Sequence, residues 1–310
     1  MENIRETLNR ISNRDDFQKR FTMIRQEIMS HPDVRAFLLE HQDEISGPMI
    51  DRSLGKLYEF VSQSRGCKEC PSLEQCKNII PGYEPELVLV NNGIDVHYVP
   101  CRLKRLADEK KKMENRIQCL YMPKDILQAS LGNVILDTDN RMQAVDKVEQ
   151  FISNYGSEHF QRGFYFYGPF GTGKTYLLGA VAHELAGIGI SSIIVYVPEL
   201  IREMKQAISD HTLNEKIDML KKAPVLMFDD IGAEAVSSWV RDEVLGPILQ
   251  FRMLERLPTF FTSNFNLNEL EHHLTYSQRG EEEKLKAARI IERIKFLAEP
   301  VPIDGPNKRK

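Results

Sequence analysis

Apolar residues follow two regimes along the chain: helical spacing ahead of a cysteine cluster, then strands alternating with helices from about residue 121 onward. Phe17, Phe21, Ile24 and Ile28 recur at i, i+4, i+7 and i+11, which predicts one apolar face of a helix. His31-Pro32-Asp33 interrupts it, with Asp33 as the expected N-cap of a second helix over residues 34–41. A third helix is predicted to start near Ser46-Gly47-Pro48, with Ile50, Leu54, Leu57 and Val61 on one side. These form a small helical bundle over residues 14–64, with a face available for a partner. Alternating apolar residues at 87–90 and 94–99 flank Asn91-Asn92-Gly93, a strong hairpin signal. Residues 102–120 are charged around Lys110, Lys111 and Lys112, and read as a helical linker with a solvated face.

Downstream, strands are predicted at residues 163–167, 193–197, 224–228, 259–263 and 300–303. Helices follow Lys174 and cover 198–208, 238–256 and 284–297. Such alternation predicts a mostly parallel sheet covered on both faces, an α/β domain. No internal repeat or low-complexity block is visible.

Composition changes this picture little. The apolar fraction is 42% and the charged fraction 28%, ordinary for a soluble globular protein. No run approaches the roughly 18 apolar residues that span a bilayer, and the polar N-terminus is no signal peptide, so a cytoplasmic protein with no membrane partner is expected. A net charge of −4 gives no global attraction to nucleic acid. Cysteine placement matters more: four of the five lie between Cys67 and Cys101, and an odd count argues against a disulfide framework. Cys67 and Cys70, with Cys76 and Cys101, offer four thiolates for a tetrahedral zinc ion, with Glu84 and His97 in reserve. Cys119 reads as a packing residue in the linker.

Gly168-Pro169-Phe170-Gly171-Thr172-Gly173-Lys174-Thr175 fits G-x-x-x-x-G-K-[ST] at every fixed position, with Tyr176 next along the helix. Glycines let successive backbone N–H groups point at phosphate oxygens, and the helix that starts there adds its positive end. Lys174 reaches the outer phosphates of ATP and Thr175 ligates Mg²⁺. The run from Val225 to Asp229 and Asp230 is an apolar strand that delivers carboxylates to the sheet's C-terminal edge. Asp229 would hold Mg²⁺, and Asp230 would activate the attacking water. Thr262-Ser263-Asn264 ends another buried strand, and the Asn264 amide is placed to sense the γ-phosphate. Arg289 and Arg293, four apart on the last helix, are candidate arginine fingers, with Arg293 favoured; a surface salt-bridge network with residues 281–283 is the alternative.

Together these motifs resemble those of the AAA+ ATPases of the initiator and helicase-loader clade, over roughly residues 121–303. Val195-Tyr196-Val197-Pro198-Glu199, Asp229-Asp230-Ile231-Gly232, Thr275 to Gly280 and Ala287 to Arg293 resemble the Gram-positive replicative helicase loaders in particular. The resemblance implies domains at 1–103 (helical and zinc-binding, contacting the helicase), 104–120 (basic helical linker) and 121–310 (ATPase). It implies an AAA+ domain that binds ATP and single-stranded DNA, associates with itself, and works with a hexameric replicative DNA helicase and other primosome proteins; with only a handful of residues after Pro302, this one departs from the pattern and is expected to lack the helical lid. It further implies weak, partner-stimulated ATP hydrolysis and a DNA-facing helical insert at about residues 199–222, with Lys205, Lys221 and Lys222 as phosphate contacts. Family members can use a histidine ligand after the cysteine pair, but residues 82–84 are Gly-Tyr-Glu, which turns attention to Cys76. The runner-up is a transposition-helper AAA+ ATPase, which lacks such an N-terminal domain. A small-molecule kinase fits the Asp-Asp pair and Asn264 less well.

Overall fold

The structure is a computed structural model that describes residues 14–63, 70–121, 124–157, 159–234, 237–276 and 283–308. It divides into two compact units, Met1–Lys110 and Lys111–Lys310.

In the first unit, helices α1 (Arg14–Ser30), α2 (Pro32–Glu40), α3 (Gly47–Arg52) and α4 (Leu54–Gln63) precede the hairpin β1 (Tyr83–Val90) and β2 (Gly93–Pro100), and helix α5 (Arg102–Arg116) follows. Ile28, Val34, Leu57, Phe60 and Val61 pack with Ile94 of the hairpin into one small core. The face predicted for α1 is only partly used. Ile28 is buried, whereas Phe21 and Ile24 are 48% and 41% exposed; the side chain of Phe17 lies outside the described residues. Asp33 is not a cap. Pro32 takes the first helical position, where a missing N–H costs nothing, and His31 is the N-cap. The single third helix expected from periodicity breaks at Ser53, whose Oγ accepts from the Ile94 N–H at 2.9 Å and ties the helices to the hairpin. The turn is also one residue off the Asn-Gly reading. Asn91 and Asn92 take φ of 48° and 59° as its central pair, and Gly93 already belongs to β2. A two-residue turn of this hand needs positive φ at both positions, which asparagine tolerates better than other side chains do.

The second unit begins with β3 (Ile117–Leu120), inside what the charge pattern marked as linker. The correction has a simple cause: the charged run stops at Arg116, and Ile117 to Leu120 pair in parallel with residues 192–195. Cys119 sits in this strand, where burial pushes its thiol up to about 11, as suits a packing residue. The remaining elements are α6 (Asp139–Ser153), β4 (Gly163–Tyr167), α7 (Lys174–Gly187), β5 (Ser192–Tyr196), α8 (Val197–Ser209), α9 (Leu213–Lys222), β6 (Val225–Asp229), α10 (Gly246–Leu254), β7 (Thr259–Ser263), α11 (Leu267–Thr275), α12 (Lys284–Leu297) and β8 (Ala298–Pro302). A π-helical turn over Val240–Leu245 leads into α10.

The six strands are ordered β3-β5-β6-β7-β4-β8, and every pairing is parallel. Neighbouring strand residues face opposite ways. Phe164, Phe166, Val225, Met227 and Phe260 therefore join α6 and α7 in one apolar layer. Tyr165, Leu226, Phe228 and Phe261 join α8 to α12 in the other. Because β4 lies between β7 and β8, the chain reverses its direction of travel across the sheet there, and that crevice is where open α/β sheets bind ligands. Among the described residues no helix follows β8, and none is long and apolar enough to cross a membrane.

Candidate functional site

The loop between β4 and α7 shows why its glycines are needed. Gly168, Gly171 and Gly173 have φ of 147°, 75° and 91°, all in the left-handed half of conformational space. A Cβ on Gly168 would lie 2.0 Å from the Ile303 carbonyl oxygen, and one on Gly171 would lie 2.0 Å from Asn307 Oδ1. Lys174 is buried at the head of α7; its ammonium donates to the carbonyls of Gly168 (2.9 Å) and Pro169 (2.8 Å) and to Asn264 Oδ1 (2.9 Å). Phe170, at the loop tip, is 68% exposed.

Parallel pairing brings the acidic strand and the Asn264 strand to the same edge. Thr175 Oγ1 donates to Asp229 Oδ1 at 2.9 Å, and Thr262 Oγ1 donates to the same oxygen at 2.6 Å. Burial raises the Asp229 carboxyl above the usual range, opposed by those two hydroxyl bonds. Asp230 takes φ of 61°, unusual for a residue with a side chain, and its N–H donates to Thr262 Oγ1 at 2.8 Å. Asn264 Nδ2 donates to Asp230 Oδ1 at 3.0 Å while its Oδ1 accepts from Lys174. The amide thus turns oxygen to the cation and nitrogen to the carboxylate, linking the phosphate loop to the acidic pair.

These groups line a cavity of about 710 Å³. Its other wall, formed by Asn133, Val134, Ile135, Arg141 and Lys308, was not singled out from sequence. An apolar run just before α6 is the only signal that Val134 and Ile135 give, and nothing in the pattern marks Arg141 or Lys308. Thr262 was read only as part of a polar triplet, yet it holds both acidic residues.

Arg289 and Arg293 do not line the cavity. Arg289 is exposed, and the half-buried Arg293 donates to the Gly246 carbonyl at 2.9 Å. Burial and the neighbouring Arg289 lower the Arg293 pKa. Among the described residues neither arginine has an ion-pair partner, and Glu283, the one member of the 281–283 run among them, is engaged by Arg241 and Lys286. Arg279 lies outside the described residues. In the other unit, Cys67 also lies outside them, and no three metal-ligating side chains are gathered among those described. Cys76 and Cys101 are nonetheless brought to one glycine. Gly82 donates its N–H to Cys76 Sγ at 3.3 Å and accepts from the Cys101 N–H at 2.9 Å. Cys101 Sγ in turn accepts from the Lys104 N–H at 3.5 Å.

Comparison with known proteins agrees with this geometry. Residues 1–98 match the family model for the primosomal protein DnaI N-terminus, and residues 147–310 match that for IstB-like ATP binding protein. The chain is 47% identical over 309 residues to the replicative helicase loader DnaI of Bacillus subtilis, covering 100% of this chain and 99% of that one. It is 26% identical over 143 residues to the replicative helicase loader DnaC of Escherichia coli, covering 46% of this chain and 57% of that one. A crystal structure of DnaI shares 55% identity and a TM-score of 0.58, covering 64% of this chain and all of the other. The transposition-helper alternative accounts for the ATPase half alone, whereas the match over residues 1–98 and the full-length relative account for both halves. With a complete phosphate loop, an acidic pair joined to it by Asn264, and both family models in chain order, this protein belongs to the DnaI family of replicative helicase loaders.

Proposed function

We propose that the chain is an ATP-switched assembly factor that carries a hexameric replicative helicase on its first unit and reads nucleotide and single-stranded DNA with its second. The observation that carries this reading is the Asn264 bridge between Lys174 and Asp230, which couples the catalytic carboxylate to what occupies the phosphate loop. With ATP in the cavity, Lys174 exchanges neutral carbonyls for phosphate oxygens, and Asn264 is released toward the γ-phosphate. Asp230 then orients and deprotonates the attacking water. Thr175 and Asp229 would hold Mg²⁺, which supplies charge neutralisation at the phosphates when bound. The two hydroxyl donors on buried Asp229 fit that role, since a cation relieves the cost of burying the carboxylate. Lys205, exposed on α8, and Lys221 and Lys222, paired with Asp218 at 3.5–3.7 Å, are the candidate DNA phosphate contacts.

Neither Arg289 nor Arg293 lines this chain's own cavity, which supports slow hydrolysis by the chain alone and a site completed by one of them from a neighbouring copy. Substituting the finger by alanine is expected to cut partner-stimulated hydrolysis by about 10²-fold or more. Nucleotide affinity should stay within about twofold, since the side chain contributes only in assembly. Steady-state rates and binding titrations on Arg289→Ala and Arg293→Ala separately decide between the two, and loss of nucleotide binding in either removes it from the role.

Zinc fits the first unit on the chemistry of the donor set. Cys76 and Cys101 each accept a backbone N–H at sulfur, and four cysteine sulfurs are a donor set suited to tetrahedral zinc. Cys67, Cys70, Cys76 and Cys101 are the proposed ligands. The test of function and metal is one experiment: size-exclusion co-elution of the full chain with the replicative helicase, before and after chelation. Co-elution is expected from the untreated chain, with about one zinc per chain by elemental analysis, and should be lost with Cys76→Ser. A chain that never co-elutes with the helicase would overturn the loader reading.

A further inference from the structure

The segment after β8 turns back over the phosphate loop. The Lys308 N–H donates to the Gly171 carbonyl at 2.8 Å, and the Asn307 side chain occupies the face of Gly171 that a Cβ would fill. From the other side, Arg141 Nη2 donates to the Thr172 carbonyl at 2.6 Å. Both clamps share one support. Asp137 pairs with Arg141 Nη1 at 3.0 Å and with Lys308 Nζ at 2.5 Å. Arg141 is 5% exposed and also donates to the Asp304 and Ile135 carbonyls.

A planar trans peptide points its C=O and N–H in opposite directions. Holding the Gly171 carbonyl toward Lys308 therefore turns the Thr172 N–H the other way. Holding the Thr172 carbonyl toward Arg141 does the same for the Gly173 N–H. From this the geometry points to a clamp, Asp137, Arg141 and Lys308, that positions two successive N–H donors of the phosphate cradle by holding the carbonyls on the opposite side of the loop. Nothing in the G-x-x-x-x-G-K-[ST] pattern requires Gly171. The held backbone does: its φ of 75° disfavours a side chain there, and the Asn307 amide would have to move aside for one. Lys308 is thus a positioning residue for the triphosphate, acting through the backbone of the loop.

The inference rests on the ATP-binding reading and is tested by affinity for fluorescent ATP and, by competition, for ADP and AMP. Lys308→Pro removes the donating N–H and is expected to weaken ATP and ADP about tenfold. AMP, which has no β-phosphate to reach the cradle, should be unaffected. Lys308→Ala should lose severalfold by freeing the Asp137 end, and Lys308→Arg should restore binding. ATP affinity within twofold of the parent for both Lys308→Pro and Asp137→Ala would overturn the clamp. So would equal losses for AMP and ATP, which would mark the segment as cavity wall alone, with no hold on the phosphate loop. A parent chain that binds no nucleotide would instead refute the ATPase reading itself.

Discussion

Lys174→Ala is expected to raise the Kd for ATP by at least about 100-fold, because charge-assisted bonds to two phosphates contribute roughly 3 kcal/mol between them. The ammonium is buried and donates to two loop carbonyls and the Asn264 amide, with the Asp229 carboxylate near enough to feel its charge. A lysine so placed gains strongly when phosphate oxygens replace them, since an anion repays the desolvation that carbonyl dipoles only partly offset. Alanine removes that gain and also leaves the Gly168 and Pro169 carbonyls without their donor. Lys174→Arg should fall between, because a planar fork cannot point a single charge into a cradle shaped for an ammonium. Calorimetric titration of ATP checks both variants. Affinity within about tenfold of the parent for Lys174→Ala would mean that the cavity binds nucleotide without using the loop's cation, since one such bond alone accounts for that factor.

What was legible in the sequence was whatever repeats with a period or carries a fixed motif. The strand at Thr259–Ser263 and the helix at Lys284–Leu297 sit where residues 259–263 and 284–297 were expected, since uninterrupted apolar patterning leaves little choice of boundary. Elements set by long-range pairing were not legible. Ile117 to Leu120 look like the end of a charged helix until β5 offers an edge. The expected face of α1 is only partly used for a related reason: periodicity names a face but not whether anything covers it, and among the described side chains of that face only Ile28 is buried in the core. The site divides the same way. Gly168 through Thr175, Asp229, Asp230 and Asn264 announce themselves by type and spacing, and parallel register brings them together. Their supports, Thr262, Arg141, Asp137 and Lys308, act through backbone atoms and single hydrogen bonds, which impose no pattern on a sequence.

Arg252 makes the same point at larger energetic scale. In sequence it is one of many charged residues on a helix, but it is fully buried. It donates to the carbonyls of Leu220, Lys221 and Ala223 at the end of α9, to the Pro258 carbonyl and to Thr259 Oγ1, at 2.7–3.2 Å. Burial lowers its pKa to about 9, so the guanidinium stays charged at neutral pH. Its acceptors sit at the entrances of β6 and β7, the strands whose far ends carry Asp229 and Asn264. One side chain therefore fixes the relative position of the two strands that build the acidic half of the site. Arg252→Leu is expected to destabilise the second unit by about 3–5 kcal/mol, the scale for removing one partner from a buried charged network. Carbonyls at a helix end would be left dry and unpaired, and leucine's own burial recovers only part of the loss. Urea unfolding followed by the fluorescence of Trp239, the sole tryptophan, measures this directly. A midpoint shift without a change in slope would confirm lost stability in a unit that still folds. If Arg252→Leu were as stable as the parent, the five hydrogen bonds would be no more than a substitute for apolar packing, and the strand entrances would be fixed by the sheet alone.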